Sequence, residues 1–308
     1  MRKAFVDTLC RLACDDPRIM LLTGDLGFMA LEPFRERFPE RFLNAGVAEQ
    51  NMIGVATGLA DAGFRPYAYS IAPFASLRPL EFIRNGPVAH KLPVRIVGMG
   101  AGFEYGYSGR THYALEDIGA LRTLPGLTLV IPADSAQAAA AIRETRDLPG
   151  PVYYSLGKDD TISVPGLNGR FELGQAQVVR EGRDIALVAM GSISQEAAIA
   201  AGKLAGYGIE AAVVVVSSFH PDPEDHLAQI LAPFRHVISV EAQTVSGGLG
   251  SLVATVIATR GLSCRLHVLG VRTASDGTSG VQMERWRKYG LDGDSILAAA
   301  LCAVRQGL

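Results

Sequence analysis

A single acidic side chain, Glu49, lies where a short strand is expected to run into a helix, in the segment NAGVAEQN at residues 44–51. The helix predicted over residues 52–63 is rich in small side chains. A carboxylate in the first turn of a helix gains about 0.3–1 kcal/mol from the helix dipole, and the pattern alone favours this ordinary role. The position at a strand-to-helix junction nevertheless makes Glu49 a candidate for proton chemistry.

An aromatic side chain, Phe74, follows a predicted strand in the segment YAYSIAPFASLR at residues 67–78. Ligands of parallel sheets bind beyond the carboxyl ends of the strands, where an aromatic ring can stack on a flat ligand. Phe74 could equally belong to the hydrophobic core. The pattern leaves both interpretations open.

The segment GMGAGFEYGYSGRTH at residues 98–112 also comes directly after a predicted strand. Five glycines alternate there with three aromatic residues, a composition more typical of a binding loop than of a core. His112 at its end is a natural proton carrier. Because a lone histidine is usually structural, the sequence leaves a functional and a structural role balanced.

These segments lie at the ends of short apolar runs that alternate with helix-length stretches. Such an alternation predicts parallel α/β sheets covered by helices on both faces. A final helix is predicted over residues 294–304. The predicted strands span residues 19–23, 65–71, 94–99, 128–131 and 151–156 in the first half, and 185–190, 211–216, 237–240 and 266–271 in the second.

Two domains are predicted, at residues 1–165 and 183–308, joined by a linker at 166–182. The polar stretch KDDTISVPGLNGRFELG, at residues 158–174, interrupts the alternation and motivates this division. In the second domain the glycine-rich turn at residues 246–250 opens a helix and could receive an anion at its N-terminus. Turns of this kind more often serve backbone packing.

The composition excludes several classes of protein. The 308 residues carry 29 Lys and Arg against 31 Asp and Glu, without a basic block, so we expect neither nucleic acid nor a membrane as a partner. No apolar run is long enough for a membrane span, and acidic residues interrupt the first twenty residues, so we expect a cytoplasmic protein. The four cysteines are too few for a disulfide framework, and we expect buried free thiols.

Four motifs of the first domain, in order, resemble the pyrimidine-binding domain of the transketolase family. They are NAGVAEQNMIGVATGLADAG, YSIAPFASLRPLEFIRN, KLPVRIVGMGAGF and SGRTHYALEDIGALRTLPGLTLVIPAD. The second half resembles the C-terminal domain of the same family, through ALVAMGS, SVEAQTVSGGLGS, Ser279-Gly280 and Lys288-Tyr289-Gly290-Leu291. The resemblance implies two parallel-sheet α/β domains, of which the second is the smaller.

The resemblance also implies thiamine diphosphate as the cofactor. Full-length relatives hold its diphosphate and Mg²⁺ in a further N-terminal domain, with a Gly-Asp-Gly motif followed by Asn. Here Gly24-Asp25-Leu26 lacks the second glycine, and no metal ligands are assigned to this chain. The chain thus resembles the C-terminal half of a split transketolase, which implies a diphosphate-binding partner chain that holds most of the Mg²⁺ site, and a heterotetramer.

Site roles follow from the same resemblance, residue by residue. Glu49 matches the glutamate that hydrogen-bonds the aminopyrimidine ring and promotes proton removal from the cofactor. Phe74 matches the aromatic residue that stacks on that ring, and Asp25 lies in a segment that contacts cofactor or substrate. His112 matches the histidine of a Thr-His pair that faces the substrate oxygen, which makes Glu49 and His112 the expected catalytic residues.

Several positions depart from the pattern of the sugar-phosphate transketolases. Ser108 stands where they have an aspartate that reads a hydroxyl, Gly100 where they have a phosphate-contacting histidine, and Arg110 where the residue is usually small or apolar. Lys158 lies near the arginine that relatives use for the substrate phosphate. We therefore expect transfer of a two-carbon ketol unit from a ketose to an aldehyde, with a non-standard sugar as substrate contacted by Ser108, Arg110, His112 and Lys158.

Two other functions remain open from the sequence. The β subunit of a 2-oxo acid dehydrogenase shares the two-domain plan, although the Thr111-His112 pair and its continuation at residues 114–117 are closer to transketolases. A non-catalytic scaffold subunit is also conceivable, because folds outlast functions. The presence of Glu49 argues against the scaffold.

Overall fold

In the computed structural model, which describes residues 1–273 and 277–305, twelve strands form two sheets. The first sheet has the strand order β10-β5-β6-β4-β3-β1-β2, and all its neighbours are parallel except β10 against β5. The second sheet has the order β12-β11-β8-β9-β7, with only β7 antiparallel to its neighbour. Two α/β domains are therefore present, as expected.

The strands are β1 Ile19–Thr23, β2 Phe42–Asn44, β3 Arg65–Ile71, β4 Arg95–Met99, β5 Thr128–Val130, β6 Val152–Leu156, β7 Ala176–Arg180, β8 Ile185–Met190, β9 Ala211–Val216, β10 Ser218–Phe219, β11 His236–Thr244 and β12 Arg265–Val271. The α-helices are α1 Arg2–Asp15, α2 Glu32–Arg37, α3 Glu49–Asp61, α4 Ala72–Ser76, α5 Leu80–Ile83, α6 Asp117–Leu121, α7 Ser135–Thr145, α8 Ser194–Ala205, α9 Glu224–Leu231, α10 Leu249–Thr259, α11 Gln282–Lys288 and α12 Gly293–Arg305.

Each apolar run predicted as a strand forms one, within a few residues of the predicted ends. The central strands β4, β6, β8 and β9 are buried along their whole length. Helices on both faces of a parallel sheet produce this continuous burial, and it accounts for the unbroken apolar runs in the sequence.

Three local features differ from the expectations. The segment at residues 166–182, expected to be a linker, contains β7, which forms an edge of the second sheet. The short strand β10, from the second half of the chain, pairs with β5 of the first sheet. Cys10 and Cys264 are buried as expected, whereas Cys14 and Cys302 are exposed.

One hydrophobic cluster is shared by the two sheets. It includes Leu129 of β5, Ile131 directly after β5, Val188 and Val214 from the second sheet, and Phe219 of β10. Because a continuous core connects the domains, loops of the second domain can support loops at the edge of the first.

Within residues 1–273 and 277–305, none of the helices has both the length and the apolar character that a membrane crossing requires.

Candidate active site

The candidate residues follow neighbouring strands of the first sheet. Asp25 follows β1, Glu49 begins α3 after β2, Phe74 lies in α4 after β3, and Lys158 follows β6. The loop with His112 follows β4, which lies between β3 and β6. Since parallel strands end at the same edge of a sheet, the topology gathers five distant segments of the chain at one place.

Glu49 is a buried carboxylate with two side-chain partners. Its side chain is 1% exposed. Ser70, on β3, donates a hydrogen bond from Oγ to Oε1 over 2.9 Å, and Arg78 donates from Nη1 to Oε2 over 2.6 Å. Gly24 provides the space on the other side, because a Cβ atom there would lie 3.2 Å from Oε1.

Arg78 also lies on the ring of Phe74. Its guanidinium carbon is 4.1 Å from the ring centroid, within the range of a cation–π contact. The Arg78 side chain is 38% exposed, so the Oε2 atom of Glu49 faces the open side of the site. The carboxylate, the guanidinium and the aromatic ring thus form one continuous group.

His112 extends this group toward Lys158. Its ring is 5.1 Å from the Phe74 centroid in an edge-on arrangement and 6.3 Å from the Tyr105 centroid. Thr111 Oγ1 lies 2.9 Å from Nδ1 of His112, which directs the opposite ring nitrogen away from Thr111. Lys158 Nζ is 4.7 Å from the Tyr105 centroid. Glu49, Phe74, His112 and Lys158 therefore lie along one surface.

Tyr105 fills the space that a side chain at position 100 would need. A Cβ atom built on Gly100 would overlap the Tyr105 ring, and the φ angle of Gly100 is +84°. Gly100, which stands where the sugar-phosphate transketolases are expected to have a histidine, therefore leaves room for the Tyr105 ring.

Two buried carboxylates, Glu104 and Asp117, lie in and directly after the loop that carries His112. Glu104 accepts a short hydrogen bond from the backbone N–H of Lys158, and desolvation by burial raises the pKa of Glu104 to about 7. Asp117 accepts hydrogen bonds from the Tyr153 hydroxyl over 2.8 Å and from Ser155 over 3.2 Å. Desolvation by burial raises the pKa of Asp117 to about 6.

The second domain holds the loop that ends in His112. The Gly280 N–H donates to the Gly106 carbonyl over 3.1 Å, and the Tyr113 hydroxyl donates to the Thr278 carbonyl over 2.9 Å. Phe103 stacks on Tyr289 with ring centroids 5.2 Å apart. Position 106 must remain glycine, because a Cβ atom there would overlap the Gly280 carbonyl.

Asp25 belongs to the same edge but not to the central group. Its φ angle is +58°, and Asn44 stabilises this turn, because Oδ1 accepts from the Asp25 N–H over 3.0 Å and Nδ2 donates to the Asp25 carboxylate over 2.8 Å. Asp25 is exposed and adjoins Gly24, which faces Glu49. The pair joins the loops that follow β1 and β2.

Two of the expected substrate residues are placed differently. Ser108 lies exposed in a short 3₁₀ helix, Gly106–Ser108. Arg110 lines a separate 260 Å³ cavity between the domains, together with Glu116, Ser246 and Arg272. The structure therefore brings His112 and Lys158 to the central group but directs Arg110 elsewhere.

The glycine-rich turn at residues 246–250 is occupied by the chain's own carboxylate. Glu241 accepts hydrogen bonds from the N–H groups of Leu249 and Gly250, both over 2.8 Å, at the start of α10. A Cβ atom on Gly248 would overlap Glu241. The turn therefore serves packing, which is the role that the sequence pattern favoured, and Glu241 takes the place that an anion would need.

Three residues of the group were missed from the sequence: Ser70, Arg78 and Tyr105. A weak signal was available for Ser70, because a polar residue in a strand that is otherwise buried requires a hydrogen-bond partner. Arg78 and Tyr105 carried no such signal, since exposed arginines and loop tyrosines are common.

The donor set fits the pyrimidine ring that the sequence led us to expect. Glu49 offers a hydrogen-bond acceptor, and Phe74 offers an aromatic face beside it. Among residues 1–273 and 277–305, no three His, Cys, Asp or Glu side chains converge as a metal site.

Two family models match the chain. The model described as transketolase, pyrimidine binding domain, matches residues 1–161, and the model described as transketolase, C-terminal domain, matches residues 174–296. The 6-deoxy-6-sulfo-D-fructose transketolase subunit SqwH of Clostridium sp. is 36% identical over 303 residues, which is 97% of this chain and 93% of that protein.

Two further relatives are of similar length. A subunit of the apulose-4-phosphate transketolase of Actinobacillus succinogenes is 35% identical over 271 residues, with 88% of this chain and 87% of that protein covered. A solved split gene transketolase, an inactive beta4 tetramer, superposes with a TM-score of 0.88 at 36% identity, over 99% of this chain and 98% of that chain.

Proposed function

We propose, from the premise that this chain belongs to the transketolase family, that it supplies the pyrimidine side of a two-subunit transketolase active site. The chain is a transketolase-type transferase subunit, and the family depends on thiamine diphosphate. The reaction moves a two-carbon ketol unit from a ketose to an aldehyde, leaving a shorter aldose and a new ketose.

The observation that carries this proposal is the environment of Glu49. The Glu49 side chain is 1% exposed, Ser70 fixes one of its oxygen atoms, and Arg78 links the other to the ring of Phe74. Burial of a carboxylate costs free energy, so its presence here favours a functional role. An ordinary helix-start acid would instead lie in solvent. The oxygen atoms of Glu49 can form a hydrogen bond with a pyrimidine nitrogen and share the proton of that bond.

Each residue then has one task. Thiamine diphosphate, when bound, supplies the carbon nucleophile for cleaving and forming the bond next to a carbonyl. Glu49 holds the ring nitrogen, and Ser70 keeps the carboxylate in place. Phe74 orients the ring, and Asp25 shapes the adjoining loop.

His112 serves the substrate oxygen. With Nδ1 beside Thr111, the opposite nitrogen of His112 can donate to the oxygen on which charge develops. Lys158, next to Tyr105, offers a point charge to an anionic part of the sugar.

The substrate is a sugar other than the ordinary pentose phosphates. Ser108 lacks the carboxylate that reads a hydroxyl in sugar-phosphate enzymes, and Tyr105 fills the place beside Gly100. Two relatives of similar length are named for 6-deoxy-6-sulfo-D-fructose and apulose 4-phosphate, which agrees with a specialised sugar. A steady-state assay with xylulose 5-phosphate and ribose 5-phosphate tests this point, since ordinary turnover would contradict it.

The second chain of the enzyme would carry the diphosphate-binding domain and the Mg²⁺ site, in a heterotetramer with two active sites. The relatives are described as subunits, and the solved relative is described as inactive in its β4 form. Both descriptions agree with a need for a second chain.

Calorimetric titration of thiamine diphosphate with Mg²⁺ tests the proposal. The chain is co-expressed with a candidate diphosphate-domain chain, and the single chain serves as the control. We expect the pair to bind and the single chain not to bind. Binding by the single chain, or no binding by the pair, would refute this account of the site.

A further inference from the structure

Arg78 contacts both groups that the pyrimidine ring requires. Its Nη1 atom is 2.6 Å from Oε2 of Glu49, and its guanidinium lies 4.1 Å above the Phe74 ring. Ser70 uses only the other carboxylate oxygen. One flat, nitrogen-bearing group of the chain therefore already bridges the acceptor and the aromatic face.

A guanidinium and an aminopyrimidine compete for such a place because their interactions are alike. Both are planar, both donate N–H groups to a carboxylate, and both stack on an aromatic ring. Two flat groups cannot lie on the same face of Phe74 and reach the same oxygen of Glu49 together. Entry of the ring at this place requires the guanidinium to leave it.

The Arg78 side chain has room to move away from Glu49, whereas Ser70 does not. Ser70 lies fully buried in β3, but the Arg78 side chain is over a third exposed. Within residues 1–273 and 277–305, its guanidinium hydrogen-bonds and ion-pairs with Glu49 and lies over the ring of Phe74, and it makes no hydrogen bond or ion pair to another side chain. A long and flexible stem can carry the guanidinium into solvent without breaking a hydrogen bond or ion pair to any other side chain within residues 1–273 and 277–305.

The ion pair also explains how the chain folds before it meets its cofactor. An unpaired charge as deeply buried as Glu49 would destabilise the fold by several kcal/mol. Arg78 supplies the missing partner until the ring arrives.

We propose that Arg78 is an internal occupant of the pyrimidine site, which pairs with Glu49 and covers Phe74 in the free chain and leaves when the cofactor binds. This inference rests on the proposed function and adds a competition between the chain and its cofactor. The self-occupied state lowers the apparent affinity by the fraction of molecules whose site is open.

The cofactor titration of the assembled pair tests the competition. We expect Arg78→Met to lower the Kd for thiamine diphosphate by roughly tenfold, because the competing group is gone. Arg84→Met is the matched control, since exposed Arg84 contacts Asn85 instead of Glu49, and its Kd should equal that of the original pair. An unchanged or weaker Kd for Arg78→Met overturns the inference, whereas failure of the unmodified pair to bind overturns the proposed function.

A double-mutant cycle on the chain alone tests the ion pair without any cofactor. Thermal unfolding is compared for Glu49→Gln, Arg78→Met and the double variant. We expect the Tm of the double variant to fall about as far as that of one single variant, because all three variants lack the same ion pair. Additive losses would overturn the inference. If Arg78→Met does not fold, Arg78→Lys keeps the charge without the flat fork, and its Kd should lie below that of the original pair.

Discussion

Glu49 combines near-complete burial with two side-chain donors, of which Ser70 is buried and Arg78 is partly exposed. The Ser70 hydroxyl fixes one oxygen from within the sheet, and Arg78 reaches the other from the open side. A carboxylate held in this way keeps its orientation when one partner is exchanged. This division of roles lets the same residue support both the fold and a ligand.

Replacement of the Glu49 carboxylate by an amide tests its role as a proton carrier. In the assembled pair, Glu49→Gln should lower turnover by about 10²- to 10⁴-fold, because the amide accepts from Ser70 but cannot hold a proton. Steady-state kinetics with the accepted donor measure this loss. Glu81→Gln, at an exposed position of α5, should keep its turnover, and a near-normal rate for Glu49→Gln would speak against the role.

Asp117 should make the stability of the chain depend on pH. Desolvation raises its pKa from 3.8 to about 6 in the folded chain. Between about pH 4 and pH 6 the folded chain therefore holds a proton that the unfolded chain has lost, and stability falls as the pH rises. Asp117 should lower the free energy of unfolding by on the order of 1–3 kcal/mol across this window, and Asp117→Asn should abolish that contribution.

Urea unfolding at a series of pH values measures this effect. The exposed Asp61→Asn variant is the control and should keep the original profile. An Asp117→Asn profile as steep as that of the original chain between pH 4 and pH 6 would contradict the assignment.

At the scale of elements, the loop between β4 and α6 is shaped by residues that have no side chain. Gly100 makes room for Tyr105, and Gly106 makes room for the backbone of Gly280. The glycines that suggested a binding loop therefore act by letting other groups approach. The resulting surface presents Tyr105 and His112 beside Phe74.

Two glycines of this loop allow the strain and the contact to be separated. Gly100 and Gly109 have φ angles of +84° and +75°, but only Gly100 faces a neighbouring side chain. Both alanine variants should lose about 1–3 kcal/mol, because a positive φ angle strains a residue that carries a Cβ atom. Gly100→Ala should lose a further 1–3 kcal/mol or so, because it displaces Tyr105.

Chemical denaturation of the two variants measures the difference. Gly109→Ala serves as the control for conformational strain, since nothing lies within 4 Å of its added Cβ atom. Equal losses of unfolding free energy for the two variants would contradict the prediction, because Tyr105 would then move aside without cost.

At the scale of the whole molecule, the two domains are joined by a common core and by several polar contacts, those of Arg122 among them. Arg122, at the end of α6, donates to the carbonyl oxygens of Gly247 and Gly248 over 3.3 and 3.2 Å and pairs with Asp222 over 3.0 Å. Its guanidinium also lies 4.7 Å from the Phe219 ring. A residue of the first domain thus holds two segments from the second half of the chain, at residues 219–222 and 247–248.

Loss of Arg122 should weaken the whole chain. Arg122→Met is expected to lower the free energy of unfolding by on the order of 2–4 kcal/mol, because a mostly buried Asp222 loses its cationic partner. Arg143→Met, at an exposed position of α7, is the control and should change stability little. Calorimetry that shows equal Tm values for both variants would contradict this view of the interface.

Most of the fold follows from local patterns. Apolar runs such as β1, β3, β8 and β9 are bounded in the structure as in the sequence, because burial on both faces leaves no alternation and the flanking polar residues end the strands. The same rule places ligand-binding residues at strand ends. Glu49, Phe74 and His112 could therefore be named as candidates from the pattern, although their roles were assigned only by the family resemblance.

Only the tertiary structure decided which side chains meet. Glu49 and Arg78 are 29 positions apart, and their contact depends on the way α3 and α4 approach each other at the sheet edge. Arg110 adjoins His112 closely in sequence yet lines another cavity, and Glu241 fills the turn that had suggested an anion site. Sequence patterns determine burial and periodicity, which are local, whereas side-chain direction and competition between partners arise only when distant segments pack together.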